Sequence, residues 1–147
     1  MQTEKLNLEV QNIIAECELN PNITTLTLTS YELTILPDLS HLTSIKKFIC
    51  RWNYLKLLYD KDTGKSLLPP NLEELHCNYN SLLDLDHLPP SIKIIDCSHN
   101  RILNIINLPP NLENLNCLGN KLTHLDNLPN GLKVLRCDQN DIIYLDN

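Results

Sequence analysis

A 20-residue pattern that recurs without gaps limits the fold of this 147-residue chain more than any other feature of its sequence. Its frame is L-P-P-x-L-x-x-L-x-C-x-x-N-x-L-x-x-L. A unit this short cannot bury its leucines alone, so successive units must stack and bury them against one another. Four copies occupy residues 68–87, 88–107, 108–127 and 128–147, and two looser copies occupy 22–41 and 42–67.

The spacing inside one copy predicts a short strand followed by an extended return. In Leu75-His76-Cys77 alternate residues share a face, so Leu75 and Cys77 point to the core and His76 points away. Each copy places such a strand beside the previous one, which predicts a parallel sheet of six strands. The return path contains Leu-Pro-Pro, and because proline fixes φ and lacks an N–H, the path is polyproline-II-like and not helical.

This pattern resembles the leucine-rich repeat, and its short, proline-bearing form is similar to that of type III secreted effectors of animal pathogens. Similar short repeats occur in proteins of giant amoebal DNA viruses (Mimivirus-like), and abundant Asn and Ile with few Ala and Val are typical of an AT-rich genome. The resemblance implies an α/β fold by convention. The implied fold is a right-handed, horseshoe-shaped solenoid with short parallel β-strands on its concave face and an extended convex side.

Residues 3–17 predict an amphipathic helix that covers the open end of the first repeat, as terminal caps do in solenoids. Thr3 can cap its start and Asn20-Pro21 can stop it. The run Leu6-x-Leu8-x-Val10 would also suit a short strand, so this alternative stays open. We expect one domain, with residues 1–21 as the cap and 22–147 as six repeats. The apolar face of the helix consists of Leu6, Val10, Ile13, Ile14 and Cys17.

Five of the six cysteines share one repeat position and should stack in an inward-facing column. Zinc ligands converge tetrahedrally, and a straight column does not converge. Neighbouring strands lie about 4.8 Å apart, which exceeds the Cβ separation of a disulfide. We therefore expect free structural thiols, no metal, no cofactor and a reducing, cytoplasmic compartment, which is the host cytosol for a viral or effector protein. The column is Cys50, Cys77, Cys97, Cys117 and Cys137.

A column of asparagines follows the cysteines at the point where the chain leaves each strand. Their side-chain amides can pair with backbone N–H and C=O groups that would be costly to bury unpaired. We therefore interpret this column as structural. Its members are Asn53, Asn80, Asn100, Asn120 and Asn140.

The second repeat carries a polar insertion, YDKDTGK, at residues 59–65, which predicts a surface loop. Asp60-x-Asp62-x-Gly64 is similar to the start of a calcium-binding loop. The later ligands and the closing Glu of that motif are missing, so a plain loop is the better interpretation.

Residues that alternate with the core positions should line the concave face. Trp52, Tyr79 and His99 should be neighbours on successive strands, and aromatic side chains often anchor protein interfaces. The alternative is a solvated face with incidental aromatic residues. The residues predicted to bind a partner are Arg51, Trp52, His76, Asn78, Tyr79, Asp96, Ser98, His99, Asn116 and Arg136.

Ser98, His76 and Asp96 also raise the possibility of a hydrolase. A nucleophile needs a base within hydrogen-bond reach and an oxyanion hole. Asp96 and Ser98 should both point outward from one strand of an open sheet without a pocket. We therefore expect no catalytic residues and no enzymatic activity.

Charge is unevenly distributed along the chain. Residues 46–65 hold six of the twelve lysines and arginines and only two acids, whereas the whole chain has a formal charge of −6. An acidic chain is a poor general binder of nucleic acid. The basic segment could steer an acidic protein partner, or it could be a solvated loop and strand edge. No apolar run is long enough to span a membrane.

Two functions are consistent with these features. The first is a non-enzymatic scaffold that binds a protein partner, such as a host protein, through the concave face. The second is a structural or self-assembling component, of a viral particle or an oligomer, that uses the repeat ends as contacts. The final copy has no segment left to cover it, so its strand should either fray or join a second copy as an end-to-end homodimer.

Overall fold

The computed structural model describes residues 7–143, which form one helix and six strands in a single parallel sheet. The strands lie side by side in chain order, as the repeat predicts. No helix among the described residues is long and apolar enough to cross a membrane. The elements are α1 (Leu8–Leu19), β1 (Thr25–Thr27), β2 (Lys47–Ile49), β3 (Glu74–His76), β4 (Ile94–Asp96), β5 (Asn114–Asn116) and β6 (Val134–Arg136).

Each strand is three residues long and is centred on one core side chain. Leu75 and Cys77 are fully buried, whereas His76 between them is half-buried, as the alternation predicts. Phe48 and Leu75 are direct partners in the sheet although the insertion separates them in sequence. The return path of the second repeat can therefore contain the insertion at residues 59–65, because the insertion does not change the register of β2 and β3.

The return path contains no helix within the described residues, as the prolines predict. It re-enters the sheet through a tight turn in which the amide of Leu72 donates to the carbonyl of Pro69 at 3.3 Å. Proline supplies the fixed φ of such a turn and needs no donor there. The same bond recurs between Ile92 and Pro89, Leu112 and Pro109, and Leu132 and Pro129.

Helix α1 covers one end of the sheet with a face made of Val10, Ile14 and Cys17, which are all buried. The prediction of its start was wrong. The side chain of Asn7 accepts the amide of Glu9 at 2.9 Å, so Asn7 caps a helix that begins at Leu8. The predicted cap Thr3 and the face residue Leu6 lie outside the described residues. The alternative of a strand near Leu8 and Val10 is also wrong.

The insertion in the second repeat is a short hairpin closed by an antiparallel bridge between Tyr59 and Ser66. Asp60 Oδ1 accepts the amide of Thr63 at 2.8 Å and its hydroxyl at 2.7 Å. These hydrogen bonds lower the pKa of Asp60. Gly64 has a φ of +67°, which closes the turn. The Asp60 carboxylate thus holds its own turn, and no group of three metal-ligating side chains forms within residues 7–143.

Candidate functional site

The asparagine column bonds each repeat to the one before it. Asn100 Nδ2 donates to the carbonyl of Cys97 at 2.9 Å and to that of Cys77 in the preceding repeat at 3.1 Å. Its Oδ1 accepts the amide of Leu82 at 2.9 Å. Asn53, Asn80, Asn120 and Asn140 repeat this pattern of contacts. The column therefore holds the chain in place where it turns out of the sheet, next to the concave face.

The cysteine column lies in the core directly before this turn. Cys50, Cys77, Cys97 and Cys117 are buried and Cys137 is half-buried, and all five are free thiols. Burial raises the pKa of Cys50 and of Cys117 to about 12. Metal binding and disulfide exchange need the thiolate, so these buried groups are held in an unreactive form.

A chain of polar contacts crosses the concave face between β2 and β3. Arg51 Nη2 donates to His76 Nδ1 at 3.2 Å, and because a guanidinium only donates, His76 carries its proton on Nε2. That nitrogen faces Glu74 Oε2 at 3.4 Å, and Lys47 Nζ lies 2.7 Å from the same oxygen. The hydrogen bonds from Lys47 and His76 lower the pKa of Glu74. His76 is therefore engaged on both of its nitrogens.

Asp96 and Ser98 form a second polar cluster on the next strand. Ser98 Oγ donates to Asp96 Oδ1 at 2.7 Å, and Asn116 Nδ2 donates to the same oxygen at 3.1 Å. Since His76 is bonded to Arg51 and Glu74 instead, the three residues do not form a relay of nucleophile, base and acid. Arg136 is exposed at the end of the same row.

Asn78 and Ser98 are buried, with exposed fractions of 8 % and 4 %, so the prediction that they line the open surface was wrong. The alternation of inward and outward side chains holds only while the backbone is extended. The strands end at His76 and Asp96, so Asn78 and Ser98 already lie in the bend that follows. Asn78 and Ser98 therefore lie beneath the concave face and not on its surface.

Trp52, Tyr79 and His99 form a continuous stack of rings at the edge of the concave face. The centroids of Trp52 and Tyr79 are 3.8 Å apart with an interplanar angle of 6°, and those of Tyr79 and His99 are 4.4 Å apart at 16°. The side chain of Trp52 is 56 % exposed and that of Tyr79 is 36 % exposed. The stack therefore presents aromatic surface that the core does not use.

All three stacked residues have a left-handed backbone, with φ between 53° and 55°. This conformation costs a non-glycine residue about 1–2 kcal/mol. Gly119 occupies the same position in the fifth repeat with a φ of +65°, which glycine adopts without strain. Sequence reasoning missed this conformation, although the alignment of Gly119 with the three aromatic residues was a sign of it.

Two buried polar atoms lie at the residues directly before the stack. Arg51 Nε and Asn78 Oδ1 have no hydrogen-bond partner among the described residues. Each such atom costs about 1–3 kcal/mol of stability. This part of the concave face therefore contains polar atoms that the described residues do not satisfy.

Three lysines of the basic segment at residues 46–65 lie close to acids. Lys46 and Lys47 lie within 3.5 Å and 2.7 Å of Glu73 and Glu74, next to the sheet. Lys65, in the hairpin, lies 3.4 Å from Asp38 instead. The fold thus pairs part of this linear cluster with acids from other repeats.

Comparisons with known proteins place this architecture. No protein-family model and no curated protein matches the sequence. The leucine-rich-repeat domain of a Shigella effector superposes with a TM-score of 0.68 at 28 % identity, over 94 % of this chain and 68 % of that one. YopM from Yersinia enterocolitica WA-314 superposes with a TM-score of 0.50 at 22 % identity, over 85 % of this chain and 39 % of that one. The chain is thus a leucine-rich-repeat solenoid, similar in structure to a bacterial effector domain.

Proposed function

We propose that this chain is a non-enzymatic scaffold that binds a protein partner through its concave face. The exposed stack of Trp52, Tyr79 and His99 is the observation that carries the proposal. Large aromatic side chains are the usual anchors of protein interfaces, because they bury much area and lose little entropy. Stacked rings are already ordered before binding, which lowers the entropic cost of association further.

The energetics of the face support this role. Two buried polar atoms without a partner among the described residues, Arg51 Nε and Asn78 Oδ1, lie directly before the stack. The left-handed backbone belongs to the common framework, because Ser30 and Gln139 share it. Stacking returns only about 0.5–1.5 kcal/mol for each pair of rings. His76, Asp96, Asn116 and Arg136 offer polar contacts around the aromatic anchor.

We propose the interior of a cell as the setting, with a host protein as the partner. Four free buried cysteines and a half-buried fifth in one column favour a reducing cytosol. The similarity to the Shigella effector domain favours an effector-like role. A formal charge of −6 disfavours nucleic acid as the ligand. The resemblance of the sequence to giant-virus proteins stays a prediction.

The proposal is tested by comparing Trp52→Ala with Leu103→Ala. Both side chains are more than half exposed, at 56 % and 55 %, but Leu103 lies outside the sheet. The immobilised chain captures partners from host cytosol, mass spectrometry identifies them, and calorimetry with the purified partner gives the affinity. We expect Trp52→Ala to weaken binding by at least about tenfold and Leu103→Ala to leave it unchanged. Equal affinity for both variants and the parent would contradict the proposal.

Self-assembly through β6 is a second candidate. Leu132, Leu135 and Cys137 are only half-buried, whereas Leu112, Leu115 and Cys117 at the same positions of the fifth repeat are buried. Within the described residues β6 pairs only with β5, and an open strand edge recruits another strand. An end-to-end, two-fold dimer would cover it. Light scattering over a concentration series should then give a rising mass, and a constant monomer mass would exclude this candidate.

A further inference from the structure

We propose that the free face of Trp52 is a slot for an arginine side chain of the partner. This inference rests on the proposed function and specifies the chemistry of the partner. The stack has two ends, and they differ. Behind His99 a Cβ atom added to Gly119 would lie only 2.9 Å from His99 Nδ1, so the ring rests on the glycine backbone. That end is closed.

The other end of the stack is open. The amide of Ser30 donates to the carbonyl of Arg51 at 3.0 Å, as the amide of Trp52 donates to that of Asn78 at 3.3 Å. Ser30 is therefore the register neighbour of Trp52 in the preceding repeat, with the same left-handed backbone, φ 61°. A serine side chain is too small to cover an indole. Trp52 keeps 56 % of its surface exposed although Tyr79 covers one of its faces.

The open end of the stack faces the first repeat, residues 22–41, which contains Glu32 and Asp38 but no lysine or arginine. Asp38 lies 3.4 Å from Lys65, so it is already paired. Glu32 lies two residues after Ser30, is exposed, and pairs with no lysine or arginine among the described residues. The guanidinium of Arg51 is turned toward β3, where it meets His76. The carboxylate of Glu32, without a basic partner within residues 7–143, lies in the repeat that the open end faces and thus favours a cation over an anion as the occupant.

Arginine is the group that fits both the shape and the charge of the slot. Its guanidinium is planar, so it can continue a stack of parallel rings, and tryptophan has the strongest cation–π attraction of the aromatic side chains. Lysine carries the charge without the plane. A neutral ring carries the plane without the charge, and a nucleotide brings phosphates to a chain whose formal charge is already −6.

The full chain offers a direct reporter, because Trp52 is its only tryptophan. Two-dimensional NMR would follow the Trp52 indole N–H and the Ser30 amide during titration with N-acetyl-arginine amide. N-acetyl-citrulline amide, which has the same shape without the charge, is the matched probe. We expect saturable shifts at both positions with the arginine probe and about three- to tenfold weaker binding of the citrulline probe. Added salt should weaken only the arginine probe.

Two variants locate the effect. Ser30→Tyr should extend the stack over Trp52 and abolish the shifts, whereas Gln139→Tyr, at the same repeat position with φ 54° and without an aromatic neighbour in the fifth repeat, should leave them unchanged. Glu32→Gln alters only an exposed side chain and should weaken the arginine probe about twofold. Equal binding of both probes, tighter binding of N-acetyl-tryptophan amide, or no saturable shift with any probe would overturn the slot.

The partner itself separates this inference from the proposed function. If Trp52→Ala and Ser30→Tyr both abolish binding and arginine substitutions in the partner do the same, both hold. If Trp52→Ala abolishes binding but Ser30→Tyr does not, the concave face is used and the arginine slot is wrong. If neither variant changes the affinity, the proposed function fails as well.

Discussion

The second to fourth repeats and the last two share one framework but differ in what they present on the concave face. Trp52, Tyr79 and His99 stand at a position that Gly119 and Gln139 occupy farther along. All five have a positive φ, between 53° and 65°. The backbone is therefore the same in both regions, and only the side chains placed on it change.

This difference separates the framework of the protein from its site. Leucine, cysteine and asparagine recur in nearly every copy because each unit must meet the next in the same way. The residues between these framework positions are free to vary. The aromatic stack occupies such variable positions, and it is confined to the second to fourth repeats. The last repeat also differs in burial, since β6 is more exposed than β5 and the strands before it. Variants at matched positions can test both differences.

The largest expected effect is loss of a core side chain. Leu75 is fully buried in β3, so Leu75→Ala should lower the free energy of unfolding by about 2–5 kcal/mol. Leu135 is its half-buried counterpart in β6, so Leu135→Ala should lower the free energy of unfolding by clearly less. Chemical denaturation measures both values. Equal losses would show that the last repeat packs as tightly as the middle ones and would remove this part of the comparison.

The asparagine column should show the same gradient with a smaller amplitude. Asn100→Ala removes the partners of three backbone carbonyls and one amide in a buried setting, for an expected loss of about 1–3 kcal/mol. Asn140 is half-buried, so after Asn140→Ala water can replace some of the lost hydrogen bonds, and the loss of stability should be smaller. An unchanged melting temperature for Asn100→Ala would contradict the structural role.

Thiol reactivity distinguishes the two ends without a mutation. Cys50, Cys77, Cys97 and Cys117 are buried, and Cys137 is half-buried. In the native protein the four buried thiols should react at least about tenfold more slowly than Cys137, because they need local unfolding first. In denaturant all of them should react alike. A native mass lowered by two hydrogens for each pair of cysteines would reveal disulfides and refute free thiols.

The smallest effect concerns pH. The bonds from Lys47 and His76 lower the pKa of Glu74 in the folded state, so its contribution to stability is present above the ordinary value of 4.5 and is lost as the pH falls through the lower folded value. Glu74 is partly exposed, and the contribution is correspondingly small. Glu74→Gln should therefore flatten the acid limb of the stability curve slightly, whereas a curve identical to that of the parent would show that the pair contributes nothing.

Much of the fold follows from two periods in the sequence. The period of two within a strand puts Leu75 and Cys77 inside and His76 outside, and the period of 20 between copies puts Tyr79 next to His99. Both rules are local, and neither needs the contacts of the finished structure. They fail where the backbone leaves the strand, so they placed Asn78 and Ser98 on the surface although both are buried.

The sequence by itself determined the stacked architecture, the parallel sheet, the cysteine column of the core and the order in which Trp52, Tyr79 and His99 follow one another on the concave face. These follow from repetition, because every copy must bury the same side chains against the next. Only the tertiary structure decided the left-handed backbone of the stacked aromatic residues, the open end of the stack over Ser30, and the pairing of basic residues with acids of other repeats. Each of these depends on which groups meet across repeats, and such contacts depend on distances that a linear pattern does not contain.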